Sequence, residues 1–193
     1  MGSYFSSVIR EPSTIAMTKV WTAEEVGRLP DDDFRYALIA GVLYRMAPTK
    51  PRHGRVTSVV NRVLGDFVER HGLGAVYDQS GFILARDPDV LLGPDLAFVR
   101  SDRLPDDEDE YPLLAPDLVV EVVSPSQTGP SVDEKTDHYL AAGVRLVWAL
   151  DPARWTVRVR RPDGTDRLLS EHDDLDGEDV LPGFRLPVAR LFA

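Results

Sequence analysis

The chain contains no cysteine in its 193 residues. That absence removes disulfides, thiolate nucleophiles and cysteine-ligated zinc together. Histidine is scarce too: His53, His71, His138 and His172 stand in no His-Glu-x-x-His spacing, so a zinc-peptidase reading has no support. No apolar run approaches the roughly 18 residues of a membrane span, and the opening Met1-Gly-Ser-Tyr-Phe-Ser-Ser lacks the apolar stretch of a secretory signal. The expectation is a cytoplasmic protein that does not contact membrane. Positive charge is also short, with 22 Lys and Arg against 32 Asp and Glu and a net charge of -10. Such a balance argues against a general nucleic-acid coat, which works by neutralising phosphates, yet it leaves room for a local basic face. There is no glycine-rich phosphate loop and no Gly-x-Ser-x-Gly elbow, so Ser124 and Ser126 read as turn residues. Repeats, low-complexity tracts and Gly/Ser linkers are missing as well. The chain reads as one domain over 18–193 behind a loose arm over 1–17.

What is present is organised around Pro116-Asp-Leu-Val-Val-Glu-Val-Val-Ser-Pro125. The run has the β-branched character of a buried strand, but Glu121 sits in its middle. A lone carboxylate taken out of water costs several kcal/mol, so Glu121 needs a cation, a hydrogen-bond partner or a proton. Strand alternation puts Asp117, Val119, Glu121 and Val123 on one face, with Leu118, Val120 and Val122 on the other. Something positive should approach the Glu121 face.

Around this strand, Thr22 and Glu25 form a capping box for a short helix ending near Leu29. Arg35–Ile39 and Val42–Met46 flank Ala40-Gly41 as a hairpin. From His53 to Arg70, Val56, Val59, Val60, Val63, Leu64, Phe67 and Val68 repeat at helical spacing, and His71-Gly72 supplies the C-cap. Strands are predicted over Gly74 to Arg86, broken near Gln79-Ser-Gly81, then Asp95 to Arg100 and Asp117 to Val123. The acidic run Asp106 to Glu110 reads as a solvated loop. A second capping box, Ser131 and Glu134, opens a helix to Ala142. The strand Val144–Leu150 and a hairpin of Trp155–Arg161 and Arg167–Leu169 follow. The order is helix, strand, strand, strand, helix, strand with a hairpin at each end, an α/β domain with a mixed sheet.

The chemistry follows from two acids on successive strands. Asp95 opens one strand behind Gly93-Pro94, and Glu121 lies inside the next, so pairing would bring the carboxylates together. Two oxygen donors, a main-chain carbonyl and water match what Mg2+ (or Mn2+) takes, and such an ion can polarise a phosphodiester and generate hydroxide. Lys135 lies at the edge of the apolar face formed by Val132, Tyr139, Leu140 and Gly143, where its stem can follow the core and its ammonium can reach the acids. His53 falls at the border of the first long helix's apolar stripe, suited to capping, packing or substrate contact.

The motifs Gly93-Pro-Asp-Leu-Ala-Phe-Val99, Asp117-Leu-Val-Val-Glu-Val-Val-Ser-Pro125, Glu134-Lys135 ahead of Tyr139-Leu-Ala-Ala-Gly-Val144, and Val147-Trp-Ala-Leu-Asp-Pro152 resemble the Uma-type family. That family is placed in the PD-(D/E)XK superfamily of restriction-endonuclease-like nucleases. The resemblance runs from about Trp21 to Pro152 and includes Arg35-Tyr-Ala-Leu-Ile-Ala-Gly-Val-Leu43 and Pro51-Arg-His53. It implies a restriction-endonuclease-like αβββαβ core, its mixed central sheet flanked by helices, with N- and C-terminal β-hairpins added. It also implies Mg2+-dependent phosphodiester hydrolysis, with Asp95, Glu121 and the Val122 carbonyl as metal ligands and Lys135 as the basic residue. Two departures stand out. The superfamily's lysine commonly lies two residues after the acid, where this chain has Val123. The family's Tyr-Glu-Leu-Ile-Asp-Gly is here Tyr36-Ala-Leu-Ile-Ala-Gly41, both acids replaced by alanine.

A separate cue concerns charge segregation. Between Asp33 and Asp66 there is no acid, while Arg35, Arg45, Lys50, Arg52, Arg55 and Arg62 all occur. Lys50, Arg52, Arg55 and Arg62 are therefore the candidate nucleic-acid contacts. The function expected is a metal-dependent DNA endonuclease, with pairing into a homodimer as a route to cutting both strands. A nuclease-derived binding or scaffold module that has lost turnover is the alternative, and RNA or a small phosphoester remains open as substrate.

Overall fold

The computed structural model describes residues 19–30, 34–124 and 130–193. The expected arm over 1–17 and the acidic turn over 31–33 lie outside the described residues. Helix α1 (Ala23–Gly27) starts on the capping box expected: Thr22 Oγ1 accepts from the Glu25 N–H at 3.3 Å, and Glu25 Oε2 accepts from the Thr22 N–H at 3.1 Å. Strands β1 (Arg35–Ile39) and β2 (Val42–Met46) form the hairpin, whose turn residues Ala40 and Gly41 both have positive φ, 49° and 75°. Helix α2 (Pro51–His71) has proline in its first turn and ends at Gly72 in the left-handed conformation, φ 61°.

Strand β3 (Gly74–Asp78) and strand β4 (Phe82–Ala85) are the two halves of the interrupted stretch, and they go to different sheets. Strand β5 (Val90–Leu92), between Pro88 and Pro94, has no counterpart in the sequence reading. Strands β6 (Leu96–Arg100) and β7 (Leu118–Val122), helix α3 (Val132–Ala141) and strand β8 (Leu146–Asp151) complete the core. The hairpin of β9 (Thr156–Arg160) and β10 (Asp166–Leu169) follows. A ribbon of β11 (Asp174–Asp176) and β12 (Arg185–Pro187) leads into α4 (Ala189–Phe192), and neither was anticipated.

The central sheet runs β10-β9-β8-β7-β6-β3. Among the described residues of this sheet only β7 and β8 pair in parallel, and α3 supplies the crossover that a parallel pair needs. The sheet is therefore mixed, as expected. Its first face, carrying Leu118, Val120, Val122 and Trp148, packs on Val56, Val60, Leu64 and Val68 of α2. The same cluster takes in Leu181, Phe184, Leu191 and Phe192 from the C-terminal elements. The second face carries Val119 and Val147 against Tyr139 of α3 and against Ala37, Ile39 and Leu92. The N-terminal hairpin is thus not a free decoration. It joins β5 and β4 in a second sheet, ordered β2-β1-β5-β4, whose apolar side closes over the sequence-central strand. Likewise the β9-β10 hairpin extends the central sheet instead of standing apart from it.

Candidate active site

The polar cluster forms where the second sheet, the start of α2 and the middle of α3 meet the ends of β6 and β7. Pairing of Leu96 with Val120 and Ala97 with Val119 sets the register. One residue further, that register brings Asp95 beside Glu121, and both side chains are buried, 4% and 2% exposed. Asp95 Oδ2 accepts the Val122 N–H at 2.8 Å and lies 3.0 Å from His53 Nε2, a contact that requires hydrogen on that nitrogen. Asp95 Oδ1 receives Arg35 Nη1 at 3.3 Å, while Arg35 Nη2 donates to the Gly93 carbonyl at 3.0 Å. His53 is held in turn by Thr57, whose hydroxyl lies 3.4 Å from Nδ1 and donates to the His53 carbonyl at 3.1 Å.

Glu121 has its own pair of partners from α3. Lys135 Nζ donates to Oε2 at 2.5 Å and the Tyr139 hydroxyl donates to Oε1 at 2.8 Å. Residues four apart share a helix face, which is why one helix serves both oxygens. The cation expected on the Glu121 face is therefore Lys135, itself buried. The environments push the two acids apart. For Asp95, burial acts upward, but the contact with His53 and the Val122 N–H prevail and hold the carboxyl below the usual aspartate range. For Glu121, burial pushes the carboxyl up, Asp95's charge adds to this, and Lys135 only partly offsets it. Burial, together with Glu121's charge, also raises Tyr139 well above an ordinary phenol.

These groups open into a cleft of about 270 Å³ walled by Arg35, Lys50, His53, Asp95, Glu121 and Lys135. Lys50, the N-cap of α2, stands on the wall of this cleft, and Arg52 is exposed in the first turn of the same helix. Arg55 does not face it: its guanidinium donates to the main-chain oxygens of Ala193 at 2.7 Å and Phe192 at 3.2 Å. The packing of α4 on α2 engages it, while the residue stays exposed. Arg62 is exposed, but lies nine residues, about 13 Å, further along α2 than His53. Two members of the cluster were not singled out from sequence, Arg35 and Tyr139. The i, i+4 relation of Tyr139 to Lys135 was a usable signal; Arg35 counted only as one of several basic residues.

The donor set suits a hard divalent ion. Two carboxylates stand side by side, and since N–H and C=O of one strand residue face the same neighbour, the Val122 carbonyl faces the Asp95 side. Among the described residues no group of three or more His, Asp or Glu side chains could hold a metal. An ion here would thus rest on Asp95, Glu121, the Val122 carbonyl and water. Of the two alanines standing for acids, Ala37 is buried beside Tyr139, whereas Ala40 is exposed in the hairpin turn away from the cleft. Only the first bears on the site.

An α/β fold with a mixed sheet between helices and a buried acid pair at its strand ends is that of restriction-endonuclease-like proteins. The family Uma2, described as "Putative restriction endonuclease", matches residues 23–189, and the chain belongs to it. A solved structure described as a "putative nuclease belonging to DUF820" from Anabaena variabilis ATCC 29413 superposes with a TM-score of 0.77. The two chains are 22% identical, over 89% of this chain and 97% of that one, a likeness of fold. No curated protein matches the chain. Among the described residues no helix is long and apolar enough to cross a membrane.

Proposed function

We propose that this chain is a Mg2+-dependent (or Mn2+-dependent) endonuclease that hydrolyses DNA phosphodiester bonds. The observation that carries the reading is the convergence of Asp95, Glu121 and Lys135, all buried, on one cleft that opens to solvent beside Lys50. Asp95 and Glu121, with the Val122 carbonyl, would hold the ion, which supplies Lewis acidity toward the phosphodiester and a more acidic bound water. His53 fixes the Asp95 carboxylate from the α2 side. Tyr139 fixes Glu121. Lys135, pinned to Glu121, presents a cation to charge that builds on the phosphoryl oxygens. Lys50 on the cleft wall and the exposed Arg52 would meet a flanking phosphate, and two copies acting together would reach both strands.

The test is plasmid nicking in Mg2+ and Mn2+ by wild type, Asp95→Asn and Glu121→Gln, with melting curves as the check on folding. Loss of nicking in folded variants is the expected result. A folded wild type that cuts no DNA with any divalent ion would overturn it. The second reading, a module that binds nucleic acid without turnover, is favoured by Ala37 and by the fact that every carboxylate oxygen already has a partner. Retained DNA affinity with no metal uptake in calorimetry would select it.

A further inference from the structure

The acids of the cleft are already charge-compensated, and the two cations that do this are held very differently. Lys135 is buried and sits at 2.5 Å from Glu121. Arg35 reaches Asp95 at 3.3 Å, long for a charge-assisted bond, with a quarter of its side chain exposed, and its firmer bond is the 3.0 Å one to the Gly93 carbonyl. Arg35 also lines both the cleft and the neighbouring cavity of about 470 Å³. It comes from β1, in a different sheet from the acids, so its approach is not dictated by their strands.

Charge counting gives this looseness a consequence. Asp95 and Glu121 carry two negative charges against the positive charges of Arg35 and Lys135. A divalent ion entering alone would leave two positive charges in excess beside buried side chains, which is unfavourable. A phosphodiester, carrying one negative charge, entering with it removes half of that excess. Guanidinium is the side chain whose fork matches phosphate oxygens. We propose that Arg35 couples the ion to the substrate: it neutralises Asp95 in the resting protein and turns to a phosphodiester oxygen once an ion takes that carboxylate. Ion and nucleic acid then bind cooperatively, each weakly without the other, and Arg35 is a substrate-positioning residue as well as a competitor of the metal. This rests on the reading of the cleft as a metal-dependent nuclease site.

Two titrations test it on wild type, Arg35→Gln, Arg35→Lys and Asp95→Asn, each first shown to be folded by its melting curve. Calorimetry with Mn2+ and no DNA should show Arg35→Gln binding about tenfold more tightly than wild type, and Arg35→Lys returning to the wild-type value. Fluorescence anisotropy with a short DNA duplex and Ca2+, at constant ionic strength, should show wild-type DNA affinity rising about tenfold or more with the ion. In Arg35→Gln that rise should shrink to less than about threefold, the range expected for loss of an ordinary coupling energy. If Asp95→Asn abolishes Mn2+ uptake while Arg35→Gln matches wild type in both titrations, the coupling is refuted and the nuclease reading stands. Arg35→Lys behaving like Arg35→Gln would assign the effect to packing and likewise refute it. If wild type takes up no Mn2+ with or without DNA, the nuclease reading fails and the coupling falls with it.

Discussion

Replacing Lys135 by methionine keeps the length and bulk of the side chain and removes its charge. Lys135 and Glu121 are 4% and 2% exposed and 2.5 Å apart. Removing one partner of such a pair typically costs about 3–5 kcal/mol, because the other charge is left buried. Glu121 would retain only the Tyr139 hydroxyl among its two partners. It has an escape, however: burial already holds it above the ordinary glutamate range, and without Lys135 it moves further up. A carboxyl whose folded pKa lies above its unfolded one binds protons more tightly when folded. The stability it contributes is complete below the unfolded value and is lost as pH rises through the folded one. The destabilisation of Lys135→Met should therefore be small near about pH 5 and grow through neutrality at up to about 1.4 kcal/mol per pH unit, the slope of one proton. Urea denaturation of wild type and variant in steps up to about pH 9 measures this directly. Adding Glu121→Gln to Lys135→Met keeps an acceptor for Tyr139 and should flatten the pH dependence and recover most of the loss. A penalty independent of pH, or a double variant no more stable than Lys135→Met, would refute the reasoning.

Two further outcomes follow from geometry away from the acids. Ala40 holds φ 49° ahead of Gly41 at 75°, a turn that favours Asn-Gly. Since a left-handed alanine costs on the order of 1 kcal/mol, Ala40→Asn should raise stability by about 0.5–1 kcal/mol, or roughly 2 °C in melting temperature; a lower melting point would contradict the turn assignment. For nucleic-acid contacts, Lys50→Ala or Arg52→Ala should reduce the slope of log affinity against log salt by about 0.9. Arg55→Ala should leave that slope unchanged, because its guanidinium is spent on Phe192 and Ala193. Equal changes for Arg55 and Lys50 in salt-dependent anisotropy would reverse the assignment.

The elements legible in the sequence are those whose signal is local. The α2 stripe, the Thr22 and Ser131 caps, the Gly72 terminus and the Ala40-Gly41 turn all declare themselves within a few residues. Strand β5 is three residues long, too short for any period, and is a strand because β1 and β4 flank it. The same holds for β11 and β12, and for α4, whose Leu191 and Phe192 are apolar for the sake of α2. In the site, Glu121 was conspicuous because a carboxylate in a valine-rich strand demands an explanation, and Lys135 because its helix face could be read. Arg35 was not, since its partner lies 60 residues away and across a change of sheet. Contacts between sheets leave no periodic trace in either strand.

Burial of an acid does not by itself mark a site, and strand β7 carries the control for that statement. Asp117 precedes it on the same face as Glu121 and is equally buried. Its oxygens accept the Arg100 N–H at 3.0 Å and Arg103 Nη1 at 2.7 Å, and Arg103 is fixed further by the Ala115 carbonyl at 2.8 Å. Asp117 lines neither the cleft nor the cavity beside it. A main-chain donor at the end of β6 and an arginine from the turn after it close around it, so it acts as a brace between β6 and the loop entering β7. Glu121 differs in three respects: its cation comes from a separate helix, a second carboxylate stands in register beside it, and a cavity opens over both. The first makes the charge costly to assemble, the second adds repulsion that a brace does not need, and the third admits a ligand. An arrangement so unfavourable for folding alone is what the proposed ion and substrate would account for.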